Sequence, residues 1–189
     1  NGIQYNLIQT IGARTAVDIK VFQINGVSYM AVANSLDPSM PDNQRNIDSY
    51  IYTYSEATEM WALLQTIATR SARAMEVMSY TLSDGTKATF LAVANFQDFG
   101  LDLVIFATTS DLYIWQSLSQ RFQAFQEIAT VGASAITSFT SNNQLYLVFG
   151  SQANYYFQFF VRTSLTLSVS SSVYVLSQAG TSPSFVLVA

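Results

Sequence analysis

The chain has no cysteine and no histidine. Without cysteine there is neither a disulfide nor a thiolate metal site. Without histidine the commonest general base and the commonest metal ligand are lost together. Charge is scarce as well, at 11% of residues with a formal net charge of −4. The basic residues Arg14, Lys20, Arg45, Arg70, Arg73, Lys87, Arg121 and Arg162 are scattered. No basic stripe tracks a phosphate backbone, which argues against nucleic acid as a partner. After Glu127 the only charged side chain is Arg162. There is no Asn-x-Ser/Thr sequon. No uninterrupted apolar run is long enough to span a membrane, and the best stretch, 90–115, is broken by Asn95, Gln97, Asp98, Asp102 and Asp111. A Ser-His-Asp set, a Cys-His pair and a Gly-rich phosphate loop are all missing.

What the chain does have is a repeat. Gln9, Gln65 and Gln126 each follow an apolar pair, and each precedes an isoleucine by two residues: Ile11, Ile67 and Ile128. A second anchor recurs in Ser49-Tyr50-Ile51-Tyr52, Ser110-Asp111-Leu112-Tyr113 and Ser171-Ser172-Val173-Tyr174. The tyrosines Tyr52, Tyr113 and Tyr174 are spaced by 61 residues, and the glutamines by 56 and then 61. A fixed period implies one supersecondary unit used several times, each burying a face on its neighbour.

Each unit reads as four short strands. In the first unit, 16–24 alternates polar and apolar residues, Asn25-Gly26 signals a hairpin, and 28–34 returns as an apolar strand. Asp84-Gly85 and Asn142-Asn143 mark the corresponding turns of the second and third units. Ala-Val-Ala-Asn ends this strand at both Asn34 and Asn95. The segment 56–78 competes as a helix, since Met60, Leu63, Leu64, Ile67 and Met75 fit one helical face. The repeat register overrules that and predicts strands. The connection 35–48, with Pro38 and Pro41, reads as a solvated loop. The apolar connections around 99–106 and 155–161 read as longer ends of the flanking strands.

Together these motifs resemble the epilepsy-associated repeat, also called EAR or EPTP. They follow its Gln-x-Ile entry, its Gly-Ala step (Gly12-Ala13, Gly132-Ala133, with Ser71-Ala72 standing in), its Val-Ala-Asn strand and its Ser-x-Ile-Tyr-x-Trp strand. The last tryptophan survives only as Trp115, with Tyr54 and Leu176 in the other units. The resemblance implies an all-β fold of propeller blades with four antiparallel strands each. The approximate repeats are 12–67, 68–128 and 129–189, with 1–11 the outer strand of a preceding blade. It also implies an extracellular, non-enzymatic domain that binds other proteins. Three blades cannot close a ring, because the end faces would stay open. The expectation is therefore a segment of a longer protein, or a ring or stack completed by further copies. A structural subunit of a filament or matrix is the alternative, and a propeller glycosidase the remote one. A sialidase-like site would need Arg14, Arg70 and Arg73 gathered together, and a glycosidase a carboxylate pair such as Asp98 and Asp102.

Asp18 and Glu76 read as sharing one register on the first strands, where Ala135 stands in the third unit. Inward carboxylates of a central channel could hold Ca²⁺ through oxygen ligands. A solvated or hydrogen-bonded carboxylate is the stronger reading. Gln9, Gln65 and Gln126 read as buried amides that satisfy backbone groups and fix the blade junctions. Tyr52, Tyr113 and Tyr174 read as inter-blade packing with a polar tip. The aromatic run Tyr155, Tyr156, Phe157, Phe159 and Phe160 is the best candidate for a protein interface.

Overall fold

In a computed structural model, residues 4–39, 46–100, 103–105, 107–152, 154–158, 161–166, 170–178 and 183–188 are described. Among them every regular element is a strand. The first blade is a sheet of β1 (Ala16–Ile24), β2 (Val27–Asn34), β3 (Asn46–Ser55) and β4 (Met60–Arg70), in that order. The second holds β5 (Ala72–Thr81), β6 (Lys87–Asn95), β9 (Ala107–Gln116) and β10 (Arg121–Val131). In the third are β11 (Ala133–Ser141), β12 (Gln144–Ser151), β15 (Ser172–Ser177) and β16 (Ser184–Leu187). All neighbouring strands are antiparallel.

The segment with helical propensity is β4 and the start of β5. Pairing with β3 through Tyr54↔Trp61 and Ile51↔Gln65 satisfies its backbone, so tertiary context overrides local preference. Residues 4–13, by contrast, are assigned to no strand. A strand needs a ladder partner, and none lies beside them among the described residues.

The spaces between blades are the core. One cluster joins Tyr29, Ala31, Ile51 and Ile67 of the first blade to Met75, Leu91, Val93 and Phe122 of the second. Another joins Phe90, Ala92, Leu112 and Ile128 of the second blade to Leu147, Phe149, Leu176 and Phe185 of the third. Phe90 and Phe149 are completely buried. Burying a side chain of this size stabilises by roughly 1.5–3 kcal/mol. The small residues Ala31, Ala33, Ala92 and Ala94 let the blades approach closely.

The register corrects two alignments made from sequence. Ala16, Ala72 and Ala133 start the inner strands, each followed by the same bulge. The residue before each is Thr15, Ser71 or Gly132, and all three have positive φ (50°, 51° and 56°). The small-residue step of the first unit is therefore Thr15-Ala16, not Gly12-Ala13. Asp18 pairs with Ala33, and Ala74 with Ala94, so Asp18 matches Ala74 and Ala135. Glu76 lies two residues further along, opposite Ala92. The unequal glutamine spacing also has a cause. Ile24↔Val27 encloses only Asn25-Gly26, whereas the matching pair Tyr80↔Ala88 encloses 81–87, five residues more.

The apolar connections are not extensions of their neighbours. β7 (Asp98–Gly100) and β8 (Leu103–Ile105) form one hairpin, β13 (Asn154–Gln158) and β14 (Val161–Thr166) another. β8 pairs with β13 to make a fourth sheet, ordered β14-β13-β8-β7. Insertions from consecutive blades thus satisfy each other's backbone groups.

Candidate functional site

Several polar side chains meet at the junctions between blades. Gln9 Nε2 donates to the Trp61 carbonyl (2.9 Å) and its Oε1 accepts from Trp61 N–H (2.8 Å). Gln65 holds Phe122 in the same way (2.7 and 2.9 Å), and Gln126 holds Phe185 (2.8 and 2.8 Å). One carboxamide satisfies both backbone groups of one residue on the next outer strand. Gln65 and Gln126 each follow a bulge, at Leu64 and Phe125, that re-aims the chain.

The inner strands are joined by carboxylates. Asp18 Oδ2 accepts from Met75 N–H (2.8 Å), across the first junction. Across the second, Glu76 Oε1 accepts from Ser138 N–H (3.0 Å) and Ser138 Oγ (2.7 Å). Both acids are aimed at a neighbouring blade, and Lys20 Nζ lies 3.7 Å from Asp18. Among the described residues no group of three or more acids could hold a metal ion. Since Asp18 and Glu76 sit at different repeat positions, they do not form a ring of ligands.

Two asparagines absent from the candidate residues do parallel work. Asn34 Nδ2 donates to Asp48 O (2.8 Å) and its Oδ1 accepts from Arg14 N–H (3.1 Å). Asn95 repeats both bonds with Thr109 O (2.9 Å) and Arg70 N–H (3.0 Å). Hydroxyl pairs Ser49–Thr69 and Ser110–Thr130, each at 2.9 Å, lie beneath them. Their sequence signal was the shared 61-residue spacing.

Tyr52 donates to Gly12 O (3.0 Å), Tyr113 joins the first inter-blade cluster, and Tyr174 meets the edge of Phe149 at 5.9 Å. Burial raises the pKa of Tyr52 and Tyr113 above the ordinary 10.0. Beside Tyr113 is a groove of ≈ 390 Å³ lined by Arg70, Asp111, Gln126 and Glu127. Arg70 lies 3.7 Å from Asp111 and donates to Thr109 Oγ1 at 2.8 Å. Burial raises the Asp111 pKa against the opposing pull of Arg70. Arg14 is engaged elsewhere, 3.3 Å from Asp37, and Arg73 lies over the Phe96 ring at 4.7 Å. Arg14, Arg70 and Arg73 thus take separate partners.

Tyr155, Tyr156 and Phe157 are in β13, whose backbone pairs with β8 on one side and β14 on the other. Phe159 and Phe160 lie outside the described residues, as does Asp102, while Asp98 opens β7.

The blade faces at either end of the array are the exposed apolar surface that sequence reading missed. Ile19 corresponds to Met75, yet Ile19 is 55% exposed and Met75 0%. Val17 and Val21 share its face and are exposed too. At the other end Phe139, stacked on Tyr146 at 4.8 Å, is 47% exposed, whereas its counterpart Met78 is 3% exposed. The alternation in β1 could not reveal this. Its polar set, Asp18 and Lys20, shares the buried junction with Phe22 and Ile24, so its apolar set is the one left uncovered.

Comparison with known proteins supports the repeat reading. The EPTP domain model matches residues 5–55. That span begins with the Gln9 segment and ends with β3. The chain is 33% identical over 93 residues to a human "Thrombospondin-type laminin G domain and EAR repeat-containing protein", covering 49% of this chain and 13% of the relative. It is 33% identical over 147 residues to the Mus musculus protein of the same name, covering 77% and 20%. The chain therefore spans a fifth or less of the length of these curated relatives.

Proposed function

We propose that this chain, which resembles the EAR/EPTP repeat proteins, is a non-catalytic, extracellular protein-binding or adhesion module built of propeller-like blades. The observation that carries this reading is the glutamine clamp, made three times in one geometry. Polar side chains are committed to holding blades together, which leaves surfaces rather than a reactive centre as the working parts. The extracellular assignment rests on the laminin G and EAR repeats in the relatives' names, and those relatives are not named as enzymes. The β13 segment with Tyr155, Tyr156 and Phe157 remains the leading contact candidate, because aromatic residues dominate interface energetics.

The test is binding of fluorescently labelled protein to intact cells, alongside incubation with a panel of glycosides. Saturable binding that disappears after protease treatment of the cells supports the module. Glycoside turnover, or binding that never saturates, overturns it.

A second reading, a subunit of an extracellular filament or matrix, is favoured by the end faces. Ile19 and Val21 at one end and Phe139 and Val188 at the other leave apolar surface open. Head-to-tail stacking would cover both. Light scattering separates the two readings: an open polymer dispersed by Ile19→Lys supports the filament, and a discrete species unaffected by that change rules it out.

A further inference from the structure

The middle blade departs from its neighbours in its inner hairpin, and a groove opens there. The inner hairpins of the first and third blades turn on two residues, Asn25-Gly26 and Asn142-Asn143. That of the second runs from Thr81 to Lys87. Its loop is well braced: Leu82 N–H donates to Thr86 O (2.8 Å), Gly85 N–H to Leu82 O (2.9 Å) and Thr86 N–H to Asp84 Oδ1 (2.8 Å). The loop reaches the third blade, where Tyr80 donates to the Asn143 carbonyl and Ser83 N–H to Gln178 Oε1.

A second departure enlarges the space. Trp115, wedged against Tyr29 (4.9 Å) and Phe122 (5.1 Å), stands where the third blade has Leu176. At the first junction the space beside Trp115 is only ≈ 70 Å³. At the second junction the corresponding groove is ≈ 750 Å³. That is within the ~300–1,000 Å³ usual for small-molecule sites.

We infer that this groove binds a short neutral oligosaccharide. Among the described residues no acidic or basic one lines it, and its polar groups include the Tyr80 and Ser83 hydroxyls and the Asn143, Gln144 and Gln178 carboxamides. Asp84, in the same loop, has its carboxylate turned onto Thr86. A charged ligand would leave water without a counter-charge there. Leu82, Val175, Leu176 and Val186 supply aliphatic surface between the polar groups. Alternating hydroxyl edges and C–H faces of a sugar chain match such a lining. A strip of hydroxyls and amides offers both donors and acceptors to each sugar hydroxyl.

The test is calorimetry of the whole chain with chitotriose, maltotriose, cellotriose and lacto-N-tetraose, with sialyllactose and an uncharged tetrapeptide as comparators. Gln144→Ala alters an exposed side chain of the groove, and Gln23→Ala an exposed side chain of the small first-junction space. The expected result is saturable binding of at least one neutral saccharide, weakened about fivefold or more by Gln144→Ala and unchanged by Gln23→Ala. The inference is overturned if no neutral saccharide binds at up to about 10 mM, if sialyllactose or the peptide binds more tightly, or if Gln144→Ala has no effect. None of these outcomes depends on whether the protein also binds another protein.

Discussion

Gln65 and Phe122 stand 57 residues apart and are joined twice, the carboxamide donating to the Phe122 carbonyl and accepting from its N–H. Truncation to alanine removes both bonds and strands two backbone groups at a part-buried junction. Gln65→Ala is expected to cost about 2 kcal/mol, measured by urea denaturation. Gln123→Ala, an exposed position on the strand that carries Gln126, is expected to change stability by less than about 0.5 kcal/mol.

Thr15 holds φ at 50°, where the equivalent residue of the third blade is Gly132 at 56°. A β-branched residue is strained in that region, whereas glycine is not. Thr15→Gly is expected to raise stability by about 1 kcal/mol, and Gly132→Thr to lower it by about 1–2 kcal/mol. The readout is the denaturation midpoint at unchanged slope. Ser71 occupies the same position but carries a hydroxyl 3.1 Å from Ser35 Oγ. Ser71→Gly trades strain relief for that contact and is expected to gain less.

Phe90 is fully buried and its ring lies 5.2 Å from that of Phe125 and 5.8 Å from that of Phe185. Phe90→Ala opens a cavity in the second junction and is expected to cost about 3–5 kcal/mol. Leu118, at the tip of the β9–β10 hairpin, is wholly exposed. Leu118→Ala is expected to stay within about 0.5 kcal/mol of the parent. Thermal unfolding of the pair separates burial from hydrophobicity as such.

Asp111 has a raised pKa, caused first by burial and opposed by Arg70. The folded state therefore holds its proton to higher pH than the unfolded chain does. Its contribution is most favourable below the unfolded value of 3.8, and diminishes as pH rises through that value to the folded one. Asp111→Asn is expected to flatten that part of the stability–pH profile. Urea midpoints measured across the acid range give the comparison. A fall of equal steepness in the variant would assign the effect to another group.

Local chemistry and tertiary partnership were unequally legible in the sequence. The hairpin at Asn25-Gly26 could be read because both positions favour positive φ, and both adopt it, at 51° and 81°. The strand character of 60–70 was legible only through the repeat register, since helical propensity pointed the other way. Asp18 and Glu76 were aligned because both are acids on an inner strand, although the 56-residue glutamine spacing over the same interval carries Asp18 onto Ala74. The β8–β13 pairing was out of reach for a different reason. Apolar alternation says that a segment wants a partner, but not that the partner is an insertion from the next blade. The open groove at Tyr80 and Gln144 depends on Leu176 being smaller than Trp115, a contrast that gains meaning only once the two positions are superposed in space.

The amide clamp is indifferent to the side chain it grips, since Trp61, Phe122 and Phe185 are all held through main-chain atoms alone. A duplicated stretch of gene encoding one blade would therefore arrive with its clamp already fitted to the new neighbour, leaving only the side chains packed in the junction to be matched. Arrays joined in this way can lengthen or shorten by whole units while their outward surfaces diverge freely.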